Sequence, residues 1–221
     1  MNIQPPNTQI NQLKTMYPSA GYMYKDTNFE LPNNFSHYSV YGYCYDHADI
    51  TVDGHTHQLT SGQYFAFSVT DTCTGTMADK LFLVARLGYR VPDQIGWVER
   101  RGRLSYIDGC SDSLLVYPAR MGDSSLNLLH FPPGINQSFH SHPSIRIGCV
   151  IDGHGIAEYG NDKNTTQAYL LNGSAFNLLE HERHRFCTAD TSMTVIAFHP
   201  DGDWGPTDHN HTMLNRTYLT K

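Results

Sequence analysis

The sequence predicts an all-β chain of two tandem barrels, and three observations carry that expectation. First, Gly and Pro interrupt the chain often, and most segments between them are five to eight residues long and rich in Val, Ile, Tyr, Phe and Thr. Several alternate, as in Ile50-Thr51-Val52, His57-Gln58-Leu59 and Tyr64-Phe65-Ala66-Phe67, which is the period of a strand with one buried face. Second, no long segment repeats its apolar residues every 3.6 positions, so short helical turns are expected only near 7–16, 94–102 and 207–217. Third, the chain resembles itself. Gly42-Tyr43-Cys44-Tyr45-Asp46-His47-Ala48-Asp49-Ile50 aligns with Gly148-Cys149-Val150-Ile151-Asp152-Gly153-His154-Gly155-Ile156 at an offset of 106, and Gly54 then falls on Gly160. Gly62-Gln63-Tyr64-Phe65 matches Gly173-Ser174-Ala175-Phe176 at a different offset, as a loop insertion produces.

Taken in order, residues 1–19 read as an N-terminal arm and 20–90 as the first barrel. Residues 91–111 read as a linker, punctuated by Pro92, Gly96, Gly102 and Gly109, with Glu99-Arg100-Arg101 as a solvated face. Residues 112–200 form the second barrel and 201–221 a tail.

Composition narrows the function. At 221 residues the chain buries a core without needing disulfides or a structural metal to fold. Its 15 Lys+Arg against 21 Asp+Glu argue against a nucleic-acid partner, which calls for a basic face. The longest apolar runs, such as Leu81-Phe82-Leu83-Val84-Ala85, are too short to span a bilayer, and MNIQPPNTQINQLK shows no secretory signal. Five scattered cysteines without a CxxC read as free thiols of a cytoplasmic protein. Thirteen histidines point instead to metal or proton chemistry.

The sharpest pattern is Phe131-Pro132-Pro133-Gly134 followed by Phe139-His140-Ser141-His142. Residues two apart on a strand share a face, so two imidazoles stand side by side and can share a metal ion at about 2.0–2.1 Å. A third ligand has to come from another strand, and His184 in Glu182-Arg183-His184-Arg185-Phe186 is the candidate.

These residues resemble the cupin superfamily. Gly134, five residues, His140-x-His142, three residues, Arg146, six residues and Gly153 reproduce the intervals of the first cupin motif. Gly173, five residues, Leu179-x-His181, two residues, His184, three residues and Thr188 reproduce those of the second. The resemblance implies a bicupin whose second barrel holds a metal on His140, His142 and His184. Arg146 replaces the usual Glu ligand, and Leu179, His181 and Thr188 replace Pro, Gly and Asn. In the first barrel the equivalent slots hold Asn34, Ser36, Val40 and Cys73, so that barrel is expected to be metal-free, a shield or a homodimer face.

Three-histidine cupins include ferrous dioxygenases. The resemblance therefore implies an Fe(II) dioxygenase acting on a small organic acid or similar anionic metabolite, while Ni, Mn, Cu or Zn suit the same imidazoles. A redox-neutral lyase or isomerase and a non-catalytic small-ligand binder stay open. His181 is a candidate acid/base or supporting residue. Arg146, four residues after His142, is expected to face the interior, where a buried cation needs a partner. That partner is either Glu182 or Glu158, or a substrate carboxylate gripped bidentately. His154 is expected to be exposed. The tail histidines, His209 and His211, with Trp204, are expected to pack along the barrel or at a subunit contact.

Overall fold

A computed structural model describes residues 1–32, 37–161, 163–202 and 211–220. Strands dominate. The helical content of the described residues is one 3-10 turn at Ile107–Gly109 and one α turn at Thr212–Asn215. None of these helices is long and apolar enough to cross a membrane. The chain divides into two compact units, residues 4–98 and residues 99–221 together with 1–3.

In the unit 4–98, one sheet runs in the order Gln94–Trp97, Gln63–Val69, Tyr38–Cys44, Lys80–Leu87, Ser19–Lys25, Gln9–Gln12. A second sheet runs Asn28–Glu30, Cys73–Met77, His47–Val52, His55–Thr60. Alternate residues of these strands, among them Tyr38, Val40, Ile50, Phe65, Phe67 and Leu83, meet in one apolar core.

In the unit 99–221, Ser111–Val116, Ser125–Phe131, Met193–His199, Arg146–Asn161 and Ala175–Leu178 are successive neighbours. Arg146–Asn161 is long enough to serve both layers. Its first half pairs with Met193–His199 and Ala175–Leu178, and its second half with Asn164–Leu171 and His184–Cys187. His140–Ser141 then pairs with both His184–Cys187 and Tyr218–Leu219.

The internal repeat has a packing reason. Gly42 lies opposite Phe65 in register, and Gly148 lies opposite Phe176. A Cβ on Gly42 would sit 2.3 Å from the Phe65 ring, and one on Gly148 would sit 2.7 Å from the Phe176 ring. Each glycine thus leaves room for the repeat's phenylalanine. Gly62 and Gly173 both turn with positive φ, 85° and 86°, a conformation that suits a residue without Cβ. The change of offset is a longer hairpin, since pairing ends at Val52 and His55 in one unit and at Asn161 and Asn164 in the other.

Two expected helical turns are strands. Gln9–Gln12 pairs with Ser19–Lys25, and Gln94–Trp97 pairs with Gln63–Val69. Each lies along an existing sheet edge, whose unpaired N–H and C=O groups outweigh a weak local helical preference. Near 207–217 a single turn forms at Thr212–Asn215. Asn34, Ser36, Trp204 and His209 lie outside the described residues.

Candidate metal centre

Pro132 and Pro133 end the strand Ser125–Phe131, and Gly134 at φ 78° turns the chain back toward the barrel. Thr188 holds this loop, donating to the Pro132 carbonyl and accepting from the Ile135 N–H. The returning chain lays His140 directly opposite His184 in an antiparallel pair. His140, His142 and His184 are all buried, and one ring nitrogen of each lies within 4.8 Å of the other two. Among the described residues this is the one such grouping of three His, Cys, Asp or Glu side chains.

Hydrogen bonds fix how the rings are turned. Nδ1 of His140 donates to the Ser138 carbonyl at 2.9 Å, that of His142 to the Arg216 carbonyl at 2.7 Å, and that of His184 to the Glu182 carbonyl at 2.9 Å. A carbonyl only accepts, so each neutral ring carries its proton on Nδ1 and a lone pair on Nε2. Among the described residues, Nε2 of His184 is buried without a hydrogen-bond partner. All three rings are held below the ordinary histidine pKa, chiefly by burial; the Arg146 charge adds to this on every ring. Three neutral imidazoles with an orphaned inward nitrogen fit a divalent transition-metal ion.

A small pocket lies beside His140 and His142. Phe131, Phe176, Leu178, Phe186 and Met213 contribute its apolar walls. Arg146 reaches this pocket although the strand is broken between Ser141 and Arg146, so a bend rather than an unbroken period of two delivers it. Its acidic neighbour is neither Glu182 nor Glu158. Glu158 takes Arg185 at 2.6 Å, and Glu182 takes the Met1 α-amine and the Leu179 N–H. Arg146 instead approaches Asp201 at 3.5 Å.

His181 is turned away from the cluster. At φ 56° it occupies the left-handed region in the Leu179–Glu182 turn, and its side chain is 65% exposed. No acid/base role at the pocket follows for it. His154 is exposed and meets Thr191, within a bulged strand rather than a loop. His211 is buried and bonds to the Ser105 carbonyl at 2.8 Å, packing the described tail onto its own unit.

The sequence reading missed His199, a buried pocket residue whose ring lies 6.4 Å from that of His142. Val195, Ala197 and His199 line the pocket in a period of two, the signal that would have found it. It also missed Arg216, whose carbonyl orients His142.

Several solved structures share this architecture. A cupin 2 conserved barrel domain protein from Leptotrichia buccalis matches over 88% of this chain and 90% of that one, with TM-score 0.59 and 13% identity. Bacillus subtilis oxalate decarboxylase, which has Mn(II) centres, matches over 92% and 76%, with TM-score 0.54 and 11% identity. Salicylate 1,2-dioxygenase from Pseudoaminobacter salicylatoxidans matches over 83% and 70%, with TM-score 0.55 and 10% identity. These likenesses establish a cupin fold. No protein-family model and no curated protein matches the chain.

Proposed function

We propose that this protein is a bicupin whose second barrel is a metal-dependent oxygenase, an Fe(II) dioxygenase acting on a small organic acid. The observation that carries this reading is the convergence of three buried imidazoles, each fixed by its Nδ1–H, beside a small pocket with apolar walls. His140, His142 and His184 would hold the ion. A ferrous ion in such a site supplies Lewis acidity and a means of bringing substrate and O₂ together. Three neutral ligands leave its double charge uncompensated, which favours an anionic substrate.

The rest of the pocket does conventional work. Phe131, Phe176 and Phe186 exclude water and shape the space for a small skeleton. His199 offers a polar contact beside Val195 and Ala197 of the same strand. In the unit 4–98 we read a barrel that has no metal, because Cys73 stands where His184 stands in the other repeat and burial pushes its thiol up to about 12. The shared strand order and the paired Gly–Phe positions support the tandem reading.

Metal analysis of the purified protein, followed by oxygen uptake with small carboxylates, thiols and diketones, tests the proposal. One iron per chain and substrate-dependent O₂ consumption are expected. Equal turnover in anaerobic buffer, or full activity with zinc, would move the protein to the lyase or isomerase class.

A further inference from the structure

Arg146 is buried, with its side chain 2% exposed, and only one of its terminal nitrogens is spoken for. Nη1 donates to the carbonyls of Ser144 at 3.1 Å and Ile145 at 2.9 Å, to the Ser144 hydroxyl, and faces Asp201. Among the described residues, Nε and Nη2 have no hydrogen-bond partner. Those two N–H groups lie on the same edge of the guanidinium, the edge that receives a carboxylate side-on through two parallel bonds. Leaving two buried donors unsatisfied is unfavourable, and a carboxylate would satisfy both.

The charges near this edge do not balance. Asp201 is shared between Arg146 at 3.5 Å and Arg216 at 3.6 Å, and the Ser144 hydroxyl donates to it as well. Two cations on one carboxylate leave an excess positive charge next to the pocket. Its field is felt by His140, His142, His184 and His199. Apart from Tyr106, Gln137 and the histidines, the pocket lining is apolar.

We propose that the pocket takes an organic monocarboxylate with an apolar body, its carboxylate held side-on by Nε and Nη2 of Arg146 and its skeleton packed against Phe131, Phe176, Leu178 and Phe186. This deepens the oxygenase reading, resting on it only in taking the same pocket as the substrate site. A longer dicarboxylate is disfavoured, because its second charge would face aromatic and aliphatic walls.

Calorimetric binding to the full chain tests the idea, with benzoate and 3-methylbutanoate as probes and benzamide and succinate as controls. Binding is measured on both metal-free and metal-loaded protein. Benzoate or 3-methylbutanoate is expected to bind in both states, with benzamide at least about tenfold weaker than benzoate, since a charge-assisted pair is lost. Arg146→Met should weaken the bound carboxylate by roughly 100-fold and Arg146→Lys by about tenfold, with circular dichroism unchanged. Equal affinity for benzoate and benzamide, binding by neither carboxylate, or succinate as tight as benzoate would overturn the proposal. The benzoate–benzamide contrast needs no variant and so stands even if Arg146→Met fails to fold. Carboxylate binding by a chain that takes up no metal would sink the oxygenase reading alone.

Discussion

In the unit 4–98 the position equivalent to Arg146 is Val40, buried in an apolar core, and the position equivalent to His184 is Cys73, also buried. In the unit 99–221 the same scaffold positions carry a guanidinium that lines a pocket and an imidazole of the three-histidine group. Both units share the strand order and the glycine that admits a facing phenylalanine. The rings of the first unit fill its interior, with Tyr24 stacked on Phe29 at 4.7 Å and Phe65 on Phe67 at 5.5 Å. The fold therefore depends on small-against-large pairs common to both units, and the chemistry depends on a few slots that differ.

The strongest way to break this contrast is at the metal. His140→Ala combined with His142→Ala should lower the metal content from one ion per chain to none, whereas Cys73→Ser should leave it unchanged; elemental analysis of both proteins decides. Next come the shared glycines. An alanine methyl at 42 meets the Phe82 carbonyl at 2.2 Å and the Phe65 ring at 2.3 Å, while one at 148 meets Phe176 at 2.7 Å and Ile196 O at 2.9 Å. Gly42→Ala should destabilise by about 3 kcal/mol and Gly148→Ala by about 2 kcal/mol in urea titrations. The reverse order would show that the two pairs are not equivalent devices.

A pair of carboxylates sharpens the comparison through pH. Burial raises the Asp112 carboxyl to about 7, with Glu99 adding to the rise and the Asn127 and Ser113 hydrogen bonds opposing it; His211 lies 3.7 Å away. A folded value above the unfolded one means that protonation favours the native state. Its contribution is full below about 4 and declines as pH climbs to about 7, with a slope approaching 1.4 kcal/mol per pH unit. Asp112→Asn should flatten that decline. Asp53 behaves oppositely: desolvation pushes it up, but hydrogen bonds from Thr70, Asp71 and Thr72 hold it near 2, so its contribution is lost on acidification. Denaturation of wild type and Asp112→Asn between pH 4 and pH 7 isolates the Asp112 decline, and the same titration carried from pH 4 down to about pH 2 reads the loss due to Asp53.

The smallest effect concerns Arg146. If its charge serves a ligand rather than the fold, Arg146→Met should raise stability by about 1 kcal/mol, because Arg216 still neutralises Asp201. A loss of 3–5 kcal/mol, the usual result of breaking a needed buried pair, would mark Arg146 as structural.

The histidine cluster was legible because its information is local. Spacing puts His140 and His142 on one face, and the resemblance to the two cupin motifs supplied His184, which pairing across the strands lays opposite His140. Asp201, His199 and the Arg216 carbonyl were not legible in that way. They reach the site across separations of 55 residues for Arg146–Asp201 and 74 for His142–Arg216, which no motif encodes. His181 shows the opposite failure, a residue in the right interval that a left-handed backbone points into solvent. The repeat was legible through Gly42 and Gly148, because close packing forbids a side chain there.

The tie between His142 and the Arg216 carbonyl bears on how the ion is acquired. During synthesis, His140 and His142 emerge long before His184, and later still comes the segment that orients His142 and pairs with His140. Until then the nascent chain offers only a loose two-histidine chelate, and such a ligand set ranks metals by intrinsic affinity, with copper foremost. The folded unit offers a different ligand set, three buried ring nitrogens already oriented by their hydrogen bonds. The three-nitrogen arrangement is thus complete only once Arg216 and Tyr218–Leu219 have been made and have docked.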